Sequence, residues 1–287
     1  MLKKIIHLFL IFPSISGASA PEVLSYIRYD AHDMPFVDLN INGRVHSMQI
    51  DTGSNAGLHI YEHQLKRIIS SPTIKIVKKL DSTSVDITGK TSRTNSYILN
   101  SIRISGVDFY NVEAVNFVPW GYSTNGEVPH SEVLGLGLFF DKKIFLNFKD
   151  NYLSLLKNLP FETTSWSKYE FSVTSSGVTI DATSNGRKYK LVVDTGASNS
   201  MLFSKPQSKI VIDGGCSKIF SSVKDSECSV AKVKIKDTNN HQKSTYAMVV
   251  DVDDNEIDFD GLIGMDVLKD HKVIFDMPSR NLYISRY

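Results

Sequence analysis

The sequence predicts an all-β fold built from two similar lobes, and three features carry that prediction. Asn42-Gly43-Arg44 stands shortly before Ile50-Asp51-Thr52-Gly53-Ser54, and Asn185-Gly186-Arg187 stands at the same distance before Val193-Asp194-Thr195-Gly196-Ala197. Downstream, Val133-Leu134-Gly135 is matched by Leu262-Ile263-Gly264, and the residues that follow each continue in step without a gap. Between these motifs lie short apolar or alternating runs divided by Gly, Asn, Asp and Ser, the pattern of strands joined by turns. A unit used twice in 287 residues also fits the usual size of a domain.

The elements follow in chain order. Residues 1–20 carry Lys3 and Lys4, an apolar stretch from Ile5 to Ile15 and the small-x-small site Ala18-Ser19-Ala20. That is the pattern of a secretory signal peptide, and the apolar run is too short to span a bilayer. Residues 21–158 then form an N-terminal lobe and residues 159–287 a C-terminal lobe. Asn42-Gly43 and Asn185-Gly186 are hairpin-turn dipeptides with strand-like residues on both sides. Residues 74–87, 94–104 and 107–117 read as further strands, residues 62–69 as a short helix, and residues 155–166 as the connection between the lobes. The second copy is shorter between its two motifs, so any hairpin projecting from it is reduced.

Charge and composition exclude several functions. Lys+Arg 32 against Asp+Glu 31 leaves no net basic charge of the size a phosphate-binding domain needs, so no nucleic-acid partner is expected. Two cysteines cannot build a four-ligand zinc finger. Cys216 and Cys228 lie 12 apart, and in an exported chain they are expected to form a local disulfide.

An Asp followed by Thr-Gly at the end of an apolar strand puts a carboxylate on a tight loop, where glycine lets backbone amides approach it. Two such loops related by a two-fold repeat bring two carboxylates face to face. They cannot both ionise easily, so they share a proton and offer an acid and a base in one site.

These residues resemble the two half-sites of an aspartic protease. Each half is similar to the retroviral, retropepsin-like unit, and the tandem arrangement is similar to the bilobal pepsin-like enzymes. The resemblance implies two retropepsin-like β-barrel lobes with the active site in the cleft between them. It further implies an aspartic endopeptidase without metal or cofactor, in which Asp51 and Asp194 hold the lytic water. Thr52 and Thr195 would bond across to the opposing loop, and Gly53 and Gly196 would allow close approach. Ser54 would give Asp51 a hydroxyl donor where Ala197 gives Asp194 none, so Asp194 is expected to hold the shared proton more of the time. A flap over the cleft is expected at Thr88-Gly89-Lys90. The expected substrate is a peptide or unfolded protein. The expected state is a secreted or periplasmic monomer, with no stable membrane insertion after signal cleavage.

Other readings stand beside this one. The same cleft could bind peptides or proteins without cleaving them. His59-Ile60-Tyr61-Glu62-His63 matches the H-x-x-E-H pattern of a zinc metallopeptidase. Asp251, Asp253, Asp254, Glu256, Asp258 and Asp260 imitate part of a calcium loop, but they lack its glycine and its final glutamate and read better as a solvated acidic loop. Trp120-Gly121-Tyr122 could rim a cleft or pack on its own lobe.

Overall fold

The computed structural model describes residues 22–85, 91–119, 130–174, 177–205, 209–218, 228–252 and 257–286. In the first half, strands β1 (Glu22–Tyr29), β2 (Pro35–Ile41), β3 (Arg44–Asp51) and β4 (Leu58–Ile60) precede helix α1 (Glu62–Ile69). Then come β5 (Ile76–Val85), β6 (Thr91–Ile104), β7 (Val107–Asn116), β8 (Glu132–Gly135), β9 (Lys143–Asn147) and β10 (Tyr152–Leu156). The second half opens with β11 (Ser167–Glu170), β12 (Ser172–Thr174), β13 (Gly177–Ser184), β14 (Arg187–Val193) and β15 (Met201–Ser204). It continues with β16 (Gly214–Gly215), β17 (Ser229–Lys236), β18 (Gln242–Asp251), β19 (Gly261–Ile263), the short helix α2 (Met265–Leu268), β20 (Lys272–Asp276) and β21 (Asn281–Ile284).

Both predicted hairpins form. Asn42 and Gly43 have φ of 50° and 78°, and Asn185 and Gly186 have φ of 48° and 79°, the two positive values that a type I′ turn requires. That turn matches the right-handed strand twist, so β2 pairs β3, and β13 pairs β14, in antiparallel register directly from it. The helix occupies the predicted residues, burying Leu65 and Ile68 while Glu62 pairs with Lys66 on the exposed face. The connection between lobes is shorter than the sequence suggests. Leu155 and Leu156 belong to β10, because they pair with Ile144 and Lys143 of β9, and a 3-10 turn over Phe161–Ser165 leads into β11.

Each lobe closes on itself. In the first, the order β2-β3-β8-β4-β7-β6 returns to β2 through Ile41 opposite Ile104. In the second, β13-β14-β19-β15-β18-β17 returns to β13 through Ala182 opposite Ile235 and Thr183 opposite Lys234. Closure into two six-stranded barrels removes free sheet edges and surrounds two apolar fillings. Leu39, Ile41, Met48 and Ile50 fill one, and Val178, Ile180, Leu191 and Val193 fill the other; all are essentially inaccessible to water. Burying each such side chain contributes about 1.5–3 kcal/mol.

A third sheet joins the lobes, in the order β11-β21-β20-β9-β10-β1. Its centre is the antiparallel pair β9–β20, where Phe145 faces Ile274, Lys272 faces Asn147 and Asp276 faces Lys143. Those pairings exchange the halves of the sequence repeat, so the local two-fold axis runs through this ladder. The lobes are thereby held as one body by main-chain hydrogen bonds rather than by side chains alone.

Candidate active site

The repeat delivers each Asp-Thr-Gly loop at the end of a barrel strand. β3 runs parallel to β8 with Ile50 opposite Leu134 and Asp51 opposite Gly135; β14 runs parallel to β19 with Val193 opposite Ile263. The apolar-apolar-Gly strands therefore lie beside the loops and brace them. The amide of Leu136 donates to the Ser54 carbonyl at 2.9 Å, and the amide of Met265 donates to the Ala197 carbonyl at 2.8 Å. Gly264 is tightly enclosed, since a Cβ there would lie 2.8 Å from the carbonyl oxygen of Ala197.

The two loops meet through their threonines. The Thr52 amide donates to Thr195 Oγ1 at 3.1 Å, and the Thr195 amide donates to Thr52 Oγ1 at 3.0 Å. Each hydroxyl passes its proton to the strand of the opposite lobe, Thr52 to the Val193 carbonyl at 2.6 Å and Thr195 to the Ile50 carbonyl at 2.8 Å. Both threonines are almost wholly buried, so these four bonds have no competition from water.

Locked in this way, the carboxyl groups of Asp51 and Asp194 face each other across Gly196, where a Cβ would lie 2.8 Å from Asp51 Cγ and 3.0 Å from Asp194 Oδ1. A Cβ on Gly53 would sit 2.8 Å from Asp194 Cγ. Only glycine fits at either position. Gly53 N–H donates to Asp51 Oδ1 at 2.9 Å and Gly196 N–H to Asp194 Oδ1 at 2.7 Å. Burial raises both carboxyls above the ordinary range, and the facing carboxyl adds to this at Asp51, which is raised the more strongly. Asp194 is opposed by amides from Gly196, Gly53 and Ala197, whereas Asp51 has those of Gly53 and Ser54. Asp194 is thus the better supplied with backbone donors that favour a carboxylate.

Ser54 turns its hydroxyl to a different neighbour. Its hydroxyl lies 2.6 Å from His59 Nε2, and among the described residues it makes no hydrogen bond to Asp51. The H-x-x-E-H pattern does not converge either. His59 is on β4 against Ser54, Glu62 is paired with Lys66, and the exposed His63 stacks on Tyr61. Among the described residues no cluster of three or more His, Cys, Asp or Glu could hold a metal ion.

The remaining expected residues fall as follows. β5 and β6 form a long hairpin whose last described pair is Val85–Thr91; Thr88, Gly89 and Lys90 themselves lie outside the described residues. Trp120-Gly121-Tyr122 and residues 253–256 of the acidic loop also lie outside them. Cys216 and Cys228 form a disulfide, with Cα atoms 5.4 Å apart, directly beyond the Gly215–Ser229 pair of the β16–β17 hairpin. The disulfide fits an oxidising compartment, and no helix among the described residues is long and apolar enough to cross a membrane.

Two supporting groups escaped the sequence reading. Asp266 accepts from both the amide and the hydroxyl of Ser200, at 2.9 and 2.8 Å, and the Ser200 hydroxyl in turn accepts from Gly264 N–H. This network braces the second loop from below. At the matching positions of the first copy, Gly57 and Gly137 stand for Ser200 and Asp266, so no side chains there can repeat the network. A polar pair in one copy against two glycines in the other was the signal available in the sequence.

No curated protein matches the chain in sequence. Residues 180–267 match the family described as aspartyl protease. Among solved structures, the crystal structure of basic 7S globulin from soybean is similar with a TM-score of 0.56 at 11% identity, covering 93% of this chain and 95% of that one. The likeness in fold thus runs along the chain, and the match to the aspartyl protease family covers most of the second barrel.

Proposed function

We propose that the protein is an exported aspartic endopeptidase. The observation that carries this reading is the facing pair of carboxyls, Asp51 and Asp194, held by the reciprocal threonine bonds. A water bound between them would lose a proton to the ionised Asp194 as its oxygen attacks the peptide carbonyl carbon. Asp51 would give its proton to the carbonyl oxygen. Collapse of the resulting gem-diol breaks the C–N bond as Asp194 returns a proton to the leaving nitrogen and Asp51 recovers one from a hydroxyl. No metal or cofactor enters this scheme. The expected substrate is a peptide or unfolded protein, admitted under the β5–β6 hairpin.

Residues 1–20 and the disulfide support export to a periplasm or beyond the cell. Both half-sites are on one chain and already joined by the β9–β20 ladder, so a monomer suffices. A binding-only role draws on the neighbour's description as a globulin. Against it, this chain retains both aspartates, both threonines and both glycines of the paired loops.

The test is incubation of the mature protein with an unfolded protein from pH 3 to pH 8, with and without pepstatin or a chelator, followed by mass spectrometry of the products. Pepstatin-sensitive, chelator-insensitive cleavage that Asp51→Asn and Asp194→Asn each abolish is expected. Absence of cleavage at every pH, with tight peptide binding retained, would establish the binding role instead.

A further inference from the structure

The two halves of the site also differ in a polar contact beside the first aspartate. Counting from the Asp-Thr-Gly motifs, Ala197 and Leu202 of the second copy stand where Ser54 and His59 stand in the first. The first lobe therefore carries a Ser–His pair beside its aspartate where the second carries two apolar side chains. A serine three residues after an aspartate at a loop can turn its hydroxyl toward that carboxyl, and donation would favour the ionised form. Here the hydroxyl is engaged elsewhere, 2.6 Å from His59 Nε2.

We propose that His59 is a positioning residue for the carboxyl pair: its Nε2 accepts the Ser54 proton and so withholds that hydroxyl from Asp51. A hydroxyl has one proton to give. Among the described residues Ser54 Oγ has no carboxylate acceptor, and in this proposal its proton goes to the imidazole, which then carries its hydrogen on Nδ1. Burial holds His59 well below its usual value, at about 3, which keeps the ring neutral and Nε2 able to accept across the working range of a carboxyl pair.

The surroundings leave few competing charges. His59 pairs with Val115 of β7 and Val133 of β8. On the same face, two residues along β7, stands Glu113; two residues along β8 stand Ser131 and Gly135, which do not ionise. Glu132 of β8 points to the other face, against His46 and the Tyr61 amide. Tyr61, just past β4, sends its hydroxyl to the His130 carbonyl. Along the loop, three residues before Ser54, stands Asp51. The consequence is a carboxyl pair supplied with donors by backbone amides. Diverting one hydroxyl thus sets how acidic the pair is.

This proposal rests on the aspartic-peptidase reading for its kinetic test but not for its spectroscopic one. The variants are His59→Leu, which copies the second lobe, His59→Gln, which retains an acceptor, Ser54→Ala, and His59→Leu combined with Ser54→Ala. Two readouts are taken: the pH profile of peptide cleavage, and titration of the aspartate carboxyls by 13C NMR, which needs no activity. His59→Leu should free Ser54 for Asp51 and move the titration of the pair, and the acidic limb of activity, downward by roughly half to one pH unit. His59→Gln should stay near the parent, Ser54→Ala alone should move neither readout, and the double variant should lose the downward shift. An unchanged titration in folded His59→Leu, or an upward shift in Ser54→Ala, would overturn the proposal. Ser54→Ala carries the decision should His59→Leu fail to fold. If no variant or parent cleaves peptide, the NMR shifts still decide the role of His59, while the enzymatic reading alone falls.

Discussion

Thr52 and Thr195 each donate a backbone amide to the other's hydroxyl, at 3.1 and 3.0 Å, across the boundary between the lobes. Each hydroxyl then donates to a carbonyl on the opposite barrel strand. One side chain in each lobe is therefore both acceptor and donor for the other lobe. The contact orients the loops and fastens the barrels at the same time.

Removing one hydroxyl should undo both functions. Thr52→Val preserves volume but leaves the Thr195 amide and the Val193 carbonyl buried without this partner, at a cost of about 1–3 kcal/mol for each group. Urea unfolding should show a loss of a few kcal/mol, and kcat should fall more than KM changes, because the carboxyl geometry loosens. Thr52→Ser keeps the hydroxyl and should stay close to the parent. Equal stability of the Val and Ser variants would contradict the interlock.

The carboxyl pair should lower stability at neutral pH. Burial and mutual proximity raise both groups above their unfolded values. The native state thus binds protons more readily, and its advantage is full below the unfolded carboxylate range and is lost as pH rises through the raised values. Asp51→Asn removes that loss. Its Tm should exceed the parent's at pH 7, by roughly 2–4 °C for each kcal/mol recovered, and the gain should vanish near pH 3. A lower Tm than the parent at both pH values would show that the pair stabilises the fold.

His46 and Glu132 form a buried pair at 2.7 Å, each about 5% exposed, and Glu132 also accepts the Tyr61 amide at the start of α1. Glu132→Ala strips both partners at once and should cost about 3–5 kcal/mol by chemical denaturation. Glu132→Gln retains an acceptor for the Tyr61 amide and should cost less. A near-neutral Ala variant would mean that water replaces the carboxylate.

The Cys216–Cys228 disulfide staples the second lobe where the first lobe extends its β5–β6 hairpin. Closing a loop of this length contributes about 2–3 kcal/mol through the unfolded chain. Reduction with dithiothreitol, or replacement of both cysteines by serine, should lower the urea midpoint without changing the position of Asp194. Loss of native circular dichroism on reduction alone would show a larger structural role.

What the sequence determined by itself is whatever neighbouring residues dictate. Asn42-Gly43 and Asn185-Gly186 make type I′ turns because those residues tolerate positive φ, and the 62–69 helix follows from its own apolar face. The doubled Asp-Thr-Gly and apolar-apolar-Gly motifs were legible because a repeat compares the chain with itself. The tertiary structure decided which partner each polar group found. Leu155 and Leu156 joined a strand instead of a linker because β9 lay alongside them, and β9 paired with β20 across more than a hundred residues of chain. Ser54 is three residues from Asp51 and five from His59, and local spacing favoured the carboxyl. The loop turns between Asp51 and β4, and that path brings the imidazole to 2.6 Å from the hydroxyl. A hydroxyl bonds the acceptor that folding presents to it, and that acceptor is set by the packing of strands far apart in the chain.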